Sequence, residues 1–122
     1  MTAITVYKLI HFVGLFTVLM AFGGLLSHLR NGGSKENPSR KAFAMSHGIG
    51  LLLMLVGGFG LLARMGIHWP LPGWVFGKIV IWLVLAGMLP MSYKMKDKAR
   101  GLWWVVLILC GLAAFLASSK II

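Results

Sequence analysis

The chain alternates between four long apolar stretches and three short polar segments. The apolar stretches cover about residues 4–27, 42–63, 72–91 and 102–118. Each is close to the roughly 20 residues that an α-helix needs to cross a bilayer core of about 30 Å. The pattern therefore predicts an all-α, integral membrane four-helix bundle with up-down-up-down topology, formed by residues 1–122 as one transmembrane domain.

Basic residues are unevenly distributed among the polar segments. The loops at 28–41 and 92–101 are strongly basic, whereas the segment between the second and third stretches carries only Arg64 and His68 at its edges. Since Lys and Arg are enriched in cytoplasmic loops, both basic loops are predicted inside and both termini outside, in a bacterial inner membrane. The basic residues of the two loops are Arg30, Lys35, Arg40 and Lys41 in the first, and Lys94, Lys96, Lys98 and Arg100 in the second.

Tryptophan and proline residues refine the predicted spans. Trp69 and Trp74 lie at the predicted outer interface, and Trp103 and Trp104 lie at the inner one, as aromatic belts require. Pro90 is expected to bend or end the third helix, because proline cannot donate a helical hydrogen bond.

Composition limits the classes of partner. Apolar residues make up 59% of the chain and charged residues 11%, against about a quarter charged in soluble domains. The net charge is +10, but the basic residues lie between apolar runs, which favours anionic lipid headgroups over nucleic acid. The single cysteine, Cys110, excludes a disulfide within the chain and is expected to pack as a small apolar side chain.

Ionisable side chains inside the spans are candidates for function, because they are costly in a bilayer. A rise of about 1.5 Å per residue places His11 about 10 Å into the first span and Lys78 about 9 Å into the third. These spans run in the same direction, so both residues are predicted to share one layer in the outer half. His47 lies about 8 Å from the inner end of the second span, more than about 10 Å in height from His11, so one haem iron cannot bind both. Lys8 and Arg64 lie nearer the boundary, where long side chains reach the interface.

Small and polar residues recur at spacings of three and four along the first two spans. Small residues in such stripes let helix backbones approach closely, so both histidines are predicted to face the bundle interior. The run at 57–60 is likewise predicted to be a packing segment, not a phosphate loop. The stripes are His11, Gly14, Val18, Ala21, Leu25 and His28 in the first span, and His47, Gly50, Met54, Gly57, Leu61 and Arg64 in the second.

Two short motifs carry a family resemblance. Residues 7–14 read Tyr-Lys-Leu-Ile-His-Phe-Val-Gly, and residues 73–80 read Gly-Trp-Val-Phe-Gly-Lys-Ile-Val. The first resembles the Lys-x-x-His motif that opens the first span of the HemJ-type protoporphyrinogen oxidases, and the second resembles their third-span motif, a Trp followed four residues later by a Lys. Lys120, which follows the last span, also resembles a lysine at that place in the HemJ type. The outline is similar to that of the related SirB-type and copper-resistance protein D-type small four-span bacterial proteins.

The resemblance implies an activity and a cofactor. His11 and Lys78 would be the essential catalytic pair, a b-type haem would be bound, and the reaction would oxidise protoporphyrinogen IX to protoporphyrin IX, with membrane quinone accepting the electrons. His11 would be the metal ligand, while Lys78 would pair with a porphyrin propionate or act as a second ligand. Trp74 and His47 complete the candidate cofactor-binding residues.

Two other interpretations stay open. The chain can be a structural or accessory membrane protein, with His47 hydrogen-bonded inside the bundle and Lys78 extended to the interface. It can also be a small transporter that uses His11, Lys78 and His47, most plausibly as a homo-oligomer. The two acidic residues, Glu36 and Asp97, lie in loops, which disfavours cation transport because that needs a compensating negative charge inside the membrane.

Overall fold

The computed structural model describes residues 2–33, 36, 38–67 and 70–119, and these residues form an all-α bundle. Four helices, α1 (Ala3–Arg30), α2 (Arg40–Arg64), α3 (Gly73–Lys94) and α4 (Ala99–Ser119), follow one another up and down, and a 3-10 turn at Lys96–Lys98 leads into α4. No strand occurs in the described ranges. The predicted four-helix bundle is confirmed.

The helix ends lie within three residues of the predicted stretches, and local chemistry sets them. The hydroxyl oxygen of Thr2 accepts a hydrogen bond from the Thr5 backbone N–H at 3.2 Å and caps the start of α1. Gly32 and Gly66 follow α1 and α2 with φ values of 84° and 72°. This left-handed conformation favours glycine and turns the chain out of each helix.

Helix α3 continues through Pro90 to Lys94, so this proline does not end the helix. Proline removes one backbone donor from the helix interior. Near it, the buried Ser92 hydroxyl donates to the Met88 carbonyl oxygen at 2.7 Å. Membrane helices tolerate proline because lipid offers the backbone no alternative structure.

All four helices are long and apolar enough to cross a membrane, with mean hydropathies of 2.2, 1.8, 1.9 and 2.2. Large apolar side chains cover the outside of the bundle, and Phe16, Met20 and Ile108 are 60%, 77% and 66% exposed. A soluble protein of this size rarely exposes so much contiguous apolar surface. The four apolar helices therefore identify the chain as a multi-pass membrane protein.

Helices α1 and α2 form the closest pair in the bundle. A Cβ atom added to Gly14 would lie 2.6 Å from the Gly50 carbonyl oxygen, and one added to Gly57 would lie 2.5 Å from the His11 backbone nitrogen. Only glycine fits at such distances. The close packing predicted from the small-residue stripes is confirmed, and Gly57 holds the backbone of His11 directly against α2.

The two basic segments meet at one end of the bundle, which we call the basic end. There the Arg30 guanidinium lies 5.9 Å from the Trp103 ring centroid, and the Arg40 guanidinium lies 5.7 Å from that of Tyr93. Trp104 is 60% exposed, as expected for a residue at the membrane interface. Four residues used in the topology and motif predictions lie outside the described ranges: Lys35, His68, Trp69 and Lys120.

Candidate functional site

A cavity of about 550 Å³ lies in the half of the bundle that is remote from the basic end. All four helices line it: the first half of α1, the second half of α2, the first half of α3 and the last part of α4. Its volume lies in the range of about 300–1,000 Å³ that is typical of small-molecule sites. Its walls are mostly apolar, and its ionisable lining residues are Lys8, His11, Lys78 and Cys110.

His11 is oriented by a hydrogen bond across the closest helix pair. Its Nδ1 lies 2.9 Å from the Met54 carbonyl oxygen. A carbonyl oxygen only accepts, so Nδ1 carries the proton and donates, and a neutral ring keeps its lone pair on Nε2. Histidines that bind a metal commonly have this arrangement, in which the second ring nitrogen donates to a backbone carbonyl and fixes the tautomer.

Lys78 lines the same cavity from α3. This agrees with the depth estimate, which placed His11 and Lys78 in one layer and facing inward. Lys8 also lines the cavity, three residues before His11 on α1.

These two ammonium groups have no acidic partner at this depth of the membrane. The chain contains two acidic residues in all, Glu36 and Asp97, and both lie outside the four helices. Uncompensated positive charge beside apolar walls is costly. The cavity is therefore complementary to an apolar molecule that carries its own negative groups.

Two tryptophans of α3 contribute aromatic walls. Trp74 is 9% exposed and lines the cavity from the first turn of α3, and its place at the outer interface stays a prediction. It precedes Lys78 by one helical turn and shares its face. Trp82 donates its indole N–H to the Leu51 carbonyl oxygen at 3.1 Å, which links α3 to α2.

Helix α4 forms a wall of small side chains on the cavity. Cys110, Ala113, Ala114 and Ala117 all line it, and their spacing of three, one and three residues places them on one face of the helix. Cys110 is only partly buried, so this thiol lies at the cavity wall instead of in a closed core. A wall without bulky side chains leaves room for a flat ring.

His47 lies outside this cavity and is 5% exposed. Its Nε2 donates to the Leu85 carbonyl oxygen at 2.9 Å, and its ring contacts Phe22 edge-on at a centroid distance of 5.2 Å. The structure thus separates the four candidate cofactor-binding residues. His11, Lys78 and Trp74 lie together, whereas His47 is enclosed nearer the basic end, as the predicted height difference required.

The donor chemistry of the cavity fits a cofactor that supplies most of its own metal ligands. Among the described residues, no three His, Cys, Asp or Glu side chains come together as a metal site. The cavity does offer one oriented imidazole, and the thioethers of Met54 and Met65 also line it. A b-type haem needs one or two axial ligands from the protein, apolar walls for its ring and cations for its propionates, so these residues fit it.

Some lining residues were missed or undervalued in the sequence. Lys8, which was predicted to reach the interface, is exposed and also borders the cavity. Its i, i+3 spacing from His11 on one helix face is a usable signal for that second role. The small-residue face of α4 was also visible as a pattern. No comparable signal identifies Trp82, because its role depends on how α3 is rotated against α2. No protein-family model, curated protein or solved structure matches this chain.

Proposed function

We propose that this chain is a haem- or porphyrin-binding membrane oxidoreductase, with its ligand in the cavity between the four helices. The observation that carries the proposal is the imidazole of His11, which lines an apolar cavity beside Lys78 while its Nδ1–H is engaged by the Met54 carbonyl. A neutral histidine held in this way has Nε2 as its metal-binding atom. The resemblance to the HemJ type names the same two residues.

The cavity chemistry supports an amphipathic, acidic ligand. A porphyrin has a flat apolar ring and carboxylate groups at one edge, and it would match the aromatic and alanine walls together with the ammonium groups of Lys8 and Lys78. Charge-assisted pairing of ammonium with carboxylate is stronger than neutral hydrogen bonding. When bound, a haem would supply electron-transfer chemistry, and the protein would contribute orientation, the imidazole of His11 and exclusion of water.

The residues of the chain have distinct roles in this proposal. His11 would bind the iron, Lys78 and Lys8 would hold the acidic edge of the porphyrin, and Trp74 would limit the position of its ring. Oxidation of a reduced porphyrin is the activity that the resemblance favours. We place the protein in a bacterial inner membrane with the basic end inside, because Lys and Arg concentrate in cytoplasmic loops. The cavity then opens in the outer half of the bilayer, where lipid-soluble molecules enter sideways.

Titration of the purified protein with ferric haem tests the proposal. The wild type is expected to give a saturable, shifted Soret band, and His11→Asn is expected to lose it. The asparagine amide can still donate to the Met54 carbonyl, so this variant removes Nε2 while keeping the interhelical hydrogen bond. The matched control is His47→Gln, which can still donate to Leu85 and should bind haem like the wild type. The dimethyl ester of haem should bind the wild type more weakly.

Two results would contradict the proposal. One is a His11→Asn variant that binds haem with the same band and affinity as the wild type. The other is a folded wild-type protein that gives no saturable spectral change, which would favour the accessory role. Circular dichroism of each variant establishes that the helical bundle is intact.

A further inference from the structure

A second concave site lies at the basic end, far from the cavity. It is a polar cleft of about 350 Å³ lined by Ser27, Arg30, Asn31, Arg100 and Trp103. The last turn of α1 and the first turns of α4 supply these residues. The cleft therefore lies where two membrane-crossing helices reach the bilayer surface, at the depth of lipid headgroups.

The aromatic wall of the cleft positions one of its two arginines. The Arg30 guanidinium lies 5.9 Å from the Trp103 ring centroid, within the range of a cation–π contact. Asn31 closes the end of α1, and its side-chain amide donates to the Ser27 carbonyl oxygen at 3.0 Å. The cation–π contact favours an orientation of the exposed Arg30 side chain beside the cleft, which lowers the entropy cost of binding.

Two arginines line this cleft, and none of the described residues that line it is acidic. Asp97 lies three residues before Arg100, in the 3-10 turn, but does not line the cleft. Arg100 also lies in the first turn of α4, where the helix dipole adds further positive potential. Like charges held together are unfavourable in the absence of an anion. The cleft therefore favours an anion that can accept hydrogen bonds from both groups.

We infer that this cleft binds a phosphate group. The planar fork of arginine matches phosphate oxygens with two parallel hydrogen bonds, and the Ser27 hydroxyl can donate a third. The phosphate can belong to a phospholipid headgroup of the adjacent leaflet or to a free phosphate ion. The inference is independent of the haem proposal, because the two sites lie at opposite ends of the bundle and share no lining residue.

Native mass spectrometry of the detergent-purified chain tests this site. One series is titrated with short-chain phosphatidylglycerol and the other with inorganic phosphate. The wild type is expected to bind one equivalent of at least one probe, and Arg100→Gln is expected to weaken that binding by about tenfold or more, the usual worth of a charged hydrogen bond. Arg30→Lys keeps the charge but loses the planar fork, so it should also weaken binding.

Lys96→Gln is the matched control, because Lys96 belongs to the same basic end but does not line the cleft. It should change the affinity by less than about twofold. Saturable binding of phosphatidylglycerol assigns the cleft to lipid, and saturable binding of inorganic phosphate alone assigns it to a soluble anion. The inference is overturned if neither probe saturates, or if Lys96→Gln weakens binding as much as Arg100→Gln.

Discussion

The two histidines of the first helix pair have the same local contact but different surroundings. His11 on α1 and His47 on α2 each lie 2.9 Å from a carbonyl oxygen of a neighbouring helix. His47 is 5% exposed and enclosed beside the fully buried Phe22. His11 lines a cavity of about 550 Å³ together with Lys78. The same type of hydrogen bond therefore fixes His47 in the packed core, whereas at His11 it leaves Nε2 available to bind a ligand.

The difference reflects how the core is distributed. The fully buried side chains of Phe22, Leu25 and Leu26 belong to the second half of α1, towards the basic end, and Phe22 contacts His47. In the other half, α4 presents only small residues to the cavity. A polar group buried in a filled core has a hydrogen-bond partner and a structural role. The same group beside a cavity is a candidate for binding, and the contrast between the halves is what gives His11 its significance.

The largest expected effect is on stability at His47. Changing His47→Ala removes the hydrogen bond to Leu85 and leaves a void beside Phe22, and we expect a loss of about 2–4 kcal/mol in the free energy of unfolding. His47→Gln keeps a donor within reach of Leu85 and should lie closer to the wild type. Unfolding by a denaturing detergent, followed by circular dichroism, measures both variants.

His11→Ala is the counterpart in the other half and should cost about 1 kcal/mol, since interhelical hydrogen bonds in membrane proteins are individually weak and the site already borders a cavity. Equal losses for the two alanine variants would remove the distinction between a packing histidine and a ligand histidine.

A smaller effect is expected from filling the cavity. Ala113→Leu adds bulk to the small-residue wall of α4 and should weaken haem binding by about tenfold, because an overfilled site must shift its neighbours. Gly111→Leu is the matched control on the same helix, since a Cβ atom there meets nothing within 4 Å. Haem titration measures the affinity of each variant. Similar affinities for Ala113→Leu and Gly111→Leu would show that the ligand does not contact this wall.

The fold could be predicted from the sequence because its causes are local. Four apolar stretches of sufficient length predict four helices. The small-residue stripes predicted close backbone packing, and the distances at Gly14 and Gly57 confirm such packing between α1 and α2. Pro90 shows the limit of local rules, because α3 continues through it to Lys94. Inside a bundle, the neighbouring groups decide whether a proline ends a helix.

The candidate site could be predicted only in part. Depth and spacing placed His11 and Lys78 in one layer, but nothing in the sequence indicated that Trp82 joins the cavity wall. The position of Trp82 depends on the rotation of α3 about its axis, which is set by tertiary packing. The near-uniform apolarity of such a helix gives little indication of which face turns inward. Sidedness in the membrane and the bound ligand stay predictions.

The most direct test of the central claim is chemical rescue of the ligand nitrogen. His11→Ala leaves space where the ring stood, so added imidazole should restore the wild-type Soret band of the haem-loaded variant in a saturable manner. His47→Ala, loaded in the same way, should show the wild-type band without imidazole. If imidazole leaves the His11→Ala spectrum unchanged, or if that variant already has the wild-type band without it, His11 does not bind the iron.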